Sequence, residues 1–142
     1  MGRTDNFRRQ HADIVEIVGK MTDILTLAAL TEYAAAMCSL LSELSGKLKV
    51  HLTIEDEVLY PALQKHEDES VRKTAQQFFD EMGGLKKVFT QYVEHWPNAE
   101  AIQKNAEDFI NETKEIFAAL ANRVKREDNE LYELYDKSLF TE

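Results

Sequence analysis

Apolar residues recur at intervals of three and four positions along most of the chain, which is the period of an amphipathic α-helix. Short breaks separate four such stretches. The pattern therefore predicts four helices, over residues 5–28, 31–65, 69–95 and 99–137. Because each helix has one apolar stripe that needs a partner, the helices pack best as an all-α, up-down-up-down four-helix bundle. No internal boundary is visible, so residues 1–142 are predicted to form a single domain.

A few residues mark where these helices are expected to begin, bend or weaken. Thr4 or Asp5 is predicted to cap the first helix, and Thr31 is predicted to cap the second. Pro61 lacks a backbone N–H and should bend or weaken the last turns of the second helix. The pair Gly83–Gly84 lies inside the predicted third helix, where each glycine should cost about 1 kcal/mol relative to alanine.

The composition disfavours several classes of protein. Hydrophobic residues make up 44% of the chain, enough for a packed core, and the formal net charge of −9 argues against a nucleic-acid backbone as partner. The N-terminal residues lack the apolar segment of a signal peptide, and no run of about 18 apolar residues indicates a membrane span. The single cysteine, Cys38, lies in an apolar run and is expected to be buried. The sequence thus predicts a cytoplasmic protein that binds neither nucleic acid nor membrane.

One short pattern occurs twice in the chain, 72 positions apart. The first copy covers residues 51–60 (HLTIEDEVLY) and the second covers residues 123–132 (RVKREDNELY). Glu, Asp, Glu, Leu and Tyr recur at the same offsets, whereas the first position is His in one copy and Arg in the other. Residues four apart share a helical face, so this first position points the same way as the first glutamate. A His and a carboxylate on one face are half of a metal site, and the Arg indicates a site that has been altered.

Four polar residues occupy positions where the apolar period predicts core residues: His11, His51, Glu55 and Glu127. An unpaired ionised carboxylate in a core is costly, and a bound divalent metal explains the whole set because imidazoles and carboxylates are its ordinary ligands. His11 is 18 residues before the turn expected near residue 29 and His51 is 22 after it, so both lie at a similar depth. The alternative is that each residue is bonded to a neighbouring side chain or lies at the edge of its stripe.

Over nearly the whole chain, these residues resemble the hemerythrin-like, HHE cation-binding family. The resemblance rests on His11 followed by ADIVEI, on His51-x-x-x-Glu55 followed by DEVLYP, and on Glu127 followed by DNELY. It implies a di-iron site inside the bundle. By the same resemblance, His11, His51, Glu55 and Glu127 match the ligands of the first iron and the two carboxylates that bridge to the second.

The ligands that the resemblance implies for a second iron are missing. The positions on the third helix fall on Phe78 and Met82, and the position on the fourth helix falls on Arg123. We hypothesise that Arg123 replaces the lost positive charge through a bidentate contact to Glu127 or Glu55, while Phe78 and Met82 fill the vacated volume. Alternatively, Arg123 extends to the surface and the core reorganises. The expected depths of these residues in the bundle do not match well, because Met82 is 16 residues before the turn near residue 98 and Arg123 is 25 after it.

Three interpretations of function follow. The first is a single-metal site, with iron(II) expected before manganese or zinc and with room for a small ligand such as dioxygen or water, in metal or oxygen binding or sensing. The resemblance implies that reversible oxygen carriage uses both irons, which places that role in doubt. The second is a metal-free bundle that acts as an interaction or regulatory module, with an unknown protein partner. The third is a complete two-metal site that uses Asp80, Glu81 or Asp128.

The sequence does not indicate an enzyme. No serine or cysteine is paired with a histidine at a spacing that supports a nucleophile, although weak oxygen or peroxide chemistry stays open. Tyr60 and Tyr132 recur at the same offset from the two motif glutamates. They are expected to be packing residues with a partner for the hydroxyl group rather than redox tyrosines.

Overall fold

A computed structural model describes residues 4–138 of the chain, and that range is helical apart from short connections. It contains no strand, which confirms the all-α prediction. The α-helices are α1 (Asp5–Asp23), α2 (Leu27–Ile54), α3 (Tyr60–Gln64), α4 (Glu69–Met82), α5 (Leu85–His95), α6 (Ala99–Lys104), α7 (Ala106–Arg126) and α8 (Tyr132–Ser138). A first π-helical turn (Glu55–Leu59) joins α2 to α3, and a second (Glu127–Leu131) joins α7 to α8.

A side-chain cap explains where the second helix begins, but not where the first one does. The second helix begins at Leu27 rather than near Thr31, because the hydroxyl of Thr26 accepts a hydrogen bond from the backbone N–H of Ala29 at 3.1 Å. Thr4 precedes α1 as predicted, but its hydroxyl does not cap the helix. It donates instead to Asp136 at 2.8 Å, which ties the start of α1 to α8. The predicted cap at Thr31 is therefore wrong. Thr4 occupies the N-cap position of α1, as predicted, but its side chain makes no capping hydrogen bond.

The predicted third and fourth helices are each divided in two. Helix α4 ends before Gly83–Gly84 and α5 begins after that pair, because two glycines together weaken a helix enough to interrupt it. Helices α6 and α7 are separated at Asn105, whose φ of −131° is not helical. Continuous helices over residues 69–95 and 99–137 were therefore the wrong expectation, although the helical character of both stretches is confirmed.

The buried apolar side chains form two clusters, and the polar residues singled out above come between them. The larger cluster includes Ile14, Leu52 and Leu120 and the smaller one includes Leu59 and Leu131. In α1 the chain passes from the smaller cluster at Phe7 to the larger one at Ile14, whereas from α2 into α3 it passes from the larger cluster at Leu52 to the smaller one at Leu59. Cys38 packs against the larger cluster and is partly rather than fully buried.

The helical stretch Leu27–Gln64 is long and apolar enough, by length and composition, to cross a membrane. The core helix of a soluble bundle meets the same criteria. This stretch supplies Leu41, Leu44 and Leu48 to the larger cluster and carries His51 on its buried face. The expectation that no segment spans a membrane stays a prediction.

Replacing Gly83 by alanine is expected to lower the free energy of unfolding by about 1–3 kcal/mol, because the added methyl group overpacks the end of α4. A Cβ atom at Gly83 would lie 2.5 Å from the carbonyl oxygen of Phe79 and 3.4 Å from its ring. Equilibrium unfolding in urea measures the difference in the free energy of unfolding, provided that the variant and the wild type have the same m value.

Gly84→Ala is the matched control for this prediction. A Cβ atom at Gly84 would meet nothing within 4 Å. Alanine there should leave stability unchanged or raise it by up to about 1 kcal/mol, because it restricts the unfolded chain without a clash. Equal destabilisation by the two substitutions would show that the close approach at Phe79 is not the cause, because a gain in helix propensity alone would stabilise both variants.

Candidate metal centre

Each copy of the repeated motif contains a π-helical turn between its first glutamate and its tyrosine. The backbone N–H of Tyr60 bonds to the carbonyl of Glu55, and that of Tyr132 bonds to the carbonyl of Glu127, five residues apart in both cases. Pro61 is not the cause, since the second copy has Glu133 at the matching position and makes the same turn. Single π turns inside α-helices are frequent at functional sites.

The four residues predicted to bind metal lie together in the interior. His11 comes from α1, His51 from the end of α2, and Glu55 and Glu127 from the starts of the two π turns. Each is at most 3% exposed. One potential ligand atom from each lies within 4.8 Å of all the others. The structure therefore brings together the four residues that helical spacing selected, and their role as metal ligands stays a prediction.

Neighbouring groups determine which ring nitrogen of each histidine faces the cluster. The Nδ1 atom of His11 lies 2.9 Å from Oδ1 of Asp128, and that of His51 lies 2.5 Å from Oε1 of Gln10. Because both oxygens are acceptors, each Nδ1 carries the proton and donates it. In the neutral rings, the Nε2 atoms are then left with free lone pairs that point into the cluster, as in histidines that bind metal.

The donor atoms of this cluster fit a divalent cation. Nε2 of His11 lies 3.2 Å from Oε1 of Glu127, and Nε2 of His51 lies 3.2 Å from Oε1 of Glu55. Among residues 4–138, no group donates a hydrogen bond to Oε1 of Glu127. Two lone pairs at this distance repel each other unless a proton or a cation lies between them. Donors that are neighbours around a six-coordinate ion with bonds of about 2.1 Å are about 3.0 Å apart, close to the spacing seen here.

Arg123 lies inside the protein and contacts both carboxylates. Its Nε atom donates to Oε2 of Glu127 and its Nη2 atom donates to Oε1 of Glu55, each at 3.1 Å. The side chain is 2% exposed, so the alternative in which it extends to the surface is wrong. The contact also differs in form from the predicted one, because the guanidinium bridges the two glutamates rather than gripping one of them.

The two residues at the missing helix-three positions are buried, as the sequence predicted. Phe78 and Met82 belong to the smaller apolar cluster. Met82 has a second role that the sequence did not indicate, since its carbonyl accepts a hydrogen bond from Nη1 of Arg123 at 3.0 Å. Because α4 ends at Met82, this carbonyl lies outside the helical hydrogen-bond ladder and is free to hold the guanidinium.

The hydroxyl groups of the two motif tyrosines each donate a hydrogen bond across the site. The hydroxyl of Tyr60 donates to Oε2 of Glu127 at 3.3 Å, and that of Tyr132 donates to Oε2 of Glu55 at 2.6 Å. Each tyrosine thus binds the glutamate of the other motif copy. Both side chains are fully buried, in agreement with packing residues whose hydroxyl groups have partners. The equal offset of tyrosine from glutamate was the signal in the sequence.

The carboxylates of the two-metal interpretation do not form a second cluster. Asp80 accepts from Gln76 on the surface, and Glu81 is paired with Arg126. Asp128 instead holds Nδ1 of His11. Sequence reasoning missed this supporting role of Asp128 because the contact joins residues 117 positions apart.

Burial and nearby charges act against each other on the ionisable groups of the site. Burial acts to lower the pKa of His11, but Glu127 and Asp128 outweigh it and the pKa is raised. Burial and the nearby charge of His11 lower the pKa of His51 to about 4. Burial acts to lower the pKa of Arg123, but Glu127 and Glu55 outweigh it and the pKa is raised. Without an ion, the guanidinium of Arg123 faces the two glutamates, and the surroundings of His11 favour the protonated form of its ring.

Comparison with known proteins gives one match. A family model described as the hemerythrin HHE cation binding domain matches residues 3–135, nearly the whole chain. Searches of curated proteins and of solved structures each gave no significant match.

Proposed function

The chain belongs to the hemerythrin HHE cation-binding domain family, and we propose that it binds a single divalent metal ion through His11, His51, Glu55 and Glu127. The observation that carries this proposal is the orientation of the histidines. Both rings have Nδ1 held by an acceptor and Nε2 directed at a carboxylate oxygen 3.2 Å away. Iron(II) is the first candidate, and manganese and zinc suit the same nitrogen and oxygen donors.

Arg123 is the reason for proposing one ion rather than two. Its guanidinium lies at hydrogen-bond distance from an oxygen of each glutamate. A second cation bridged by the same carboxylates would lie close to this permanent positive charge, and the repulsion would not be screened in the interior. Phe78 and Met82 add no ligand through their side chains on that side of the site.

The proposed role is binding or sensing of metal or oxygen rather than catalysis. An iron(II) ion held here supplies a Lewis-acidic, redox-active centre with coordination positions left for a small ligand such as water or dioxygen. Gln10 and Asp128 fix the orientation of the two imidazole rings, and the buried tyrosines keep bulk water from the carboxylates. We further propose a single cytoplasmic domain with the up-down-up-down order, without nucleic-acid or membrane partners.

Metal content tests this proposal directly. We expect about one iron per chain after anaerobic reconstitution with iron(II), and a large loss of iron in His51→Ala because one of the four ligands is gone. Elemental analysis of desalted protein gives the ratio. His95→Ala is the matched control, since His95 lies at the exposed end of α5 and bonds only to Glu112 among the contacts described.

Three results would contradict parts of the proposal. About two ions per chain would mean that Arg123 does not prevent a second site. Equal loss of iron in His51→Ala and His95→Ala would place the metal on the acidic surface. No bound iron, manganese or zinc in the wild type would overturn the proposed function.

The alternative function is a metal-free bundle that acts as an interaction or regulatory module. The charges of the site favour it, because the guanidinium of Arg123 donates to both carboxylates without any ion and the raised pKa of His11 favours the protonated ring beside Glu127. Under this alternative, the site is a buried ion network that keeps its geometry without metal. It would gain no stability from added metal, and its partner would be found on its surface.

A further inference from the structure

The hydroxyl group of Tyr132 lies among the potential ligand atoms of the candidate metal site rather than outside them. It is 2.6 Å from Oε2 of Glu55, 3.0 Å from Nε2 of His11 and 3.4 Å from Nε2 of His51. Three of the four predicted ligands therefore converge on one oxygen atom. Tyr132 itself is fully buried.

These distances are those of neighbouring ligands, not only of packing contacts. Donor atoms that share an ion with bonds of about 2.1 Å are about 3.0 Å apart, and the three distances to the hydroxyl of Tyr132 fall on either side of that value. The two Nε2 atoms carry lone pairs, because each ring donates through Nδ1. One phenol proton, already directed to Glu55, cannot satisfy both of them.

We propose that the phenol oxygen of Tyr132 is a fifth ligand of the metal ion. This inference rests on the proposed function, because it assigns a further ligand to the same single-metal site. Tyrosine oxygen is an established protein ligand for iron. Two imidazoles, two carboxylates and one phenolate would leave a six-coordinate ion one position for a small ligand.

Coordination requires the phenol to lose its proton. The O–H bond would break, the electron pair would stay on the oxygen as the donor to the ion, and Oε2 of Glu55, which already accepts the hydrogen bond, would be the first acceptor of the proton. No oxidant or reductant is needed for this step. The phenolate charge also helps to balance a divalent ion beside Arg123.

The aromatic ring of Tyr132 is held in place from two sides. The ring of Phe7 stacks on it with centroids 5.5 Å apart, and the guanidinium of Arg8 lies 5.4 Å from its centroid. Arg8 is itself tied to the backbone carbonyl of Asp128 at 3.0 Å. A preorganised ring of this kind loses little conformational freedom when its oxygen binds an ion.

Tyr60 provides a matched control within the same chain. It has the equivalent place in the other motif copy and is equally buried, and its hydroxyl donates to Oε2 of Glu127 at 3.3 Å. The guanidinium of Arg123 lies over the ring of Tyr60, 5.8 Å from the ring centroid. The structure gives Tyr60 no contact with either site histidine among its described hydrogen bonds. Tyr60 is therefore expected to stay a hydrogen-bond donor.

Colour tests the assignment, because iron(III) bound to a phenolate has a charge-transfer absorption in the visible range. Protein reconstituted anaerobically with iron(II) is oxidised with ferricyanide, desalted and examined by absorption spectroscopy and elemental analysis. We expect a visible band in the wild type and in Tyr60→Phe. In Tyr132→Phe we expect loss of the band while most of the bound iron is retained.

A measurement on the wild type keeps the test independent of whether Tyr132→Phe folds. Resonance Raman spectra excited in the visible band should show phenolate ring vibrations that shift when the protein is labelled with ring-deuterated tyrosine. A band that persists in folded Tyr132→Phe, or iron-loaded wild type without phenolate vibrations, would overturn this inference and leave the four-ligand site intact. Wild type that binds no iron would overturn this inference, and wild type that binds neither iron, manganese nor zinc would overturn the proposed function as well.

Discussion

Replacing Arg123 by methionine is expected to lower the free energy of unfolding of the metal-free protein by about 3–5 kcal/mol, the usual cost of removing one partner from a buried ion pair. The guanidinium donates to Glu55, to Glu127 and to the carbonyl of Met82, all inside the protein. Methionine keeps the unbranched apolar part of the arginine side chain and lacks the guanidinium, so the loss reports mainly on the charge and the hydrogen bonds. Urea unfolding of protein stripped of metal measures it.

Arg126→Met is the matched control for this substitution. Arg126 is three residues further along the same helical stretch and is paired with Glu81 and Glu130 near the surface. Exposed ion pairs contribute little to stability, so this substitution should have a far smaller effect. A loss for Arg123→Met no larger than that of the control would show that the two buried glutamates do not depend on the guanidinium.

A second substitution separates charge from packing at Arg123. In the double variant Arg123→Met with Glu127→Gln, one buried negative charge is removed together with its positive partner. The double variant should therefore be destabilised by less than the sum of the two single variants, since residues in one network do not act additively. Strict additivity would contradict a direct interaction between Arg123 and Glu127.

Iron(II) at about a thousand times its dissociation constant is expected to raise the free energy of unfolding by about 4 kcal/mol, because the ion binds the folded chain and not the unfolded one. His51→Ala should lose most of this gain. Anaerobic urea unfolding at a series of iron concentrations measures the effect. The result also decides between the two proposed functions, because the metal-free module gains nothing.

Magnesium is the control for the charge of the ion. The chain has a formal net charge of −9, so any divalent cation can collect at its surface and stabilise it weakly. Magnesium prefers oxygen ligands and retains its water, so it should not use the two imidazoles. Equal stabilisation by magnesium and iron(II) would indicate the surface rather than the cluster of His11, His51, Glu55 and Glu127.

The depth of Arg123 in the bundle shows how far residue counting along the chain can be trusted. Counted from the turn near residue 98, Arg123 appeared too far along its helix to meet Met82, yet the two are hydrogen-bonded at 3.0 Å. The reason is that Asn105 interrupts the helix, and Arg123 is 17 residues beyond the start of α7 at Ala106. That value agrees with the 16 residues between Met82 and residue 98. The interruption at Asn105 therefore accounts for the mismatch in depth between Arg123 and Met82.

The sequence by itself determined the helical class and the positions that face the interior. Both follow from local geometry, since residues three and four apart share a helical face and a polar residue in an apolar stripe must be buried with a partner. This was enough to select His11, His51, Glu55 and Glu127 and to place Arg123 with them. Local spacing was also enough to show that Tyr60 and Tyr132 are equivalent positions.

Only the tertiary structure decided which atoms meet. Three features depend on how separate helices rotate and slide against each other. They are the π turns, the hydrogen bonds of Tyr60 to Glu127 and of Tyr132 to Glu55, and the contacts of Asp128 and Gln10 with the histidine rings. A helical period specifies a face but neither rotation nor depth relative to another helix. Those two quantities are set by packing across the core, where residues far apart in sequence compete for the same space.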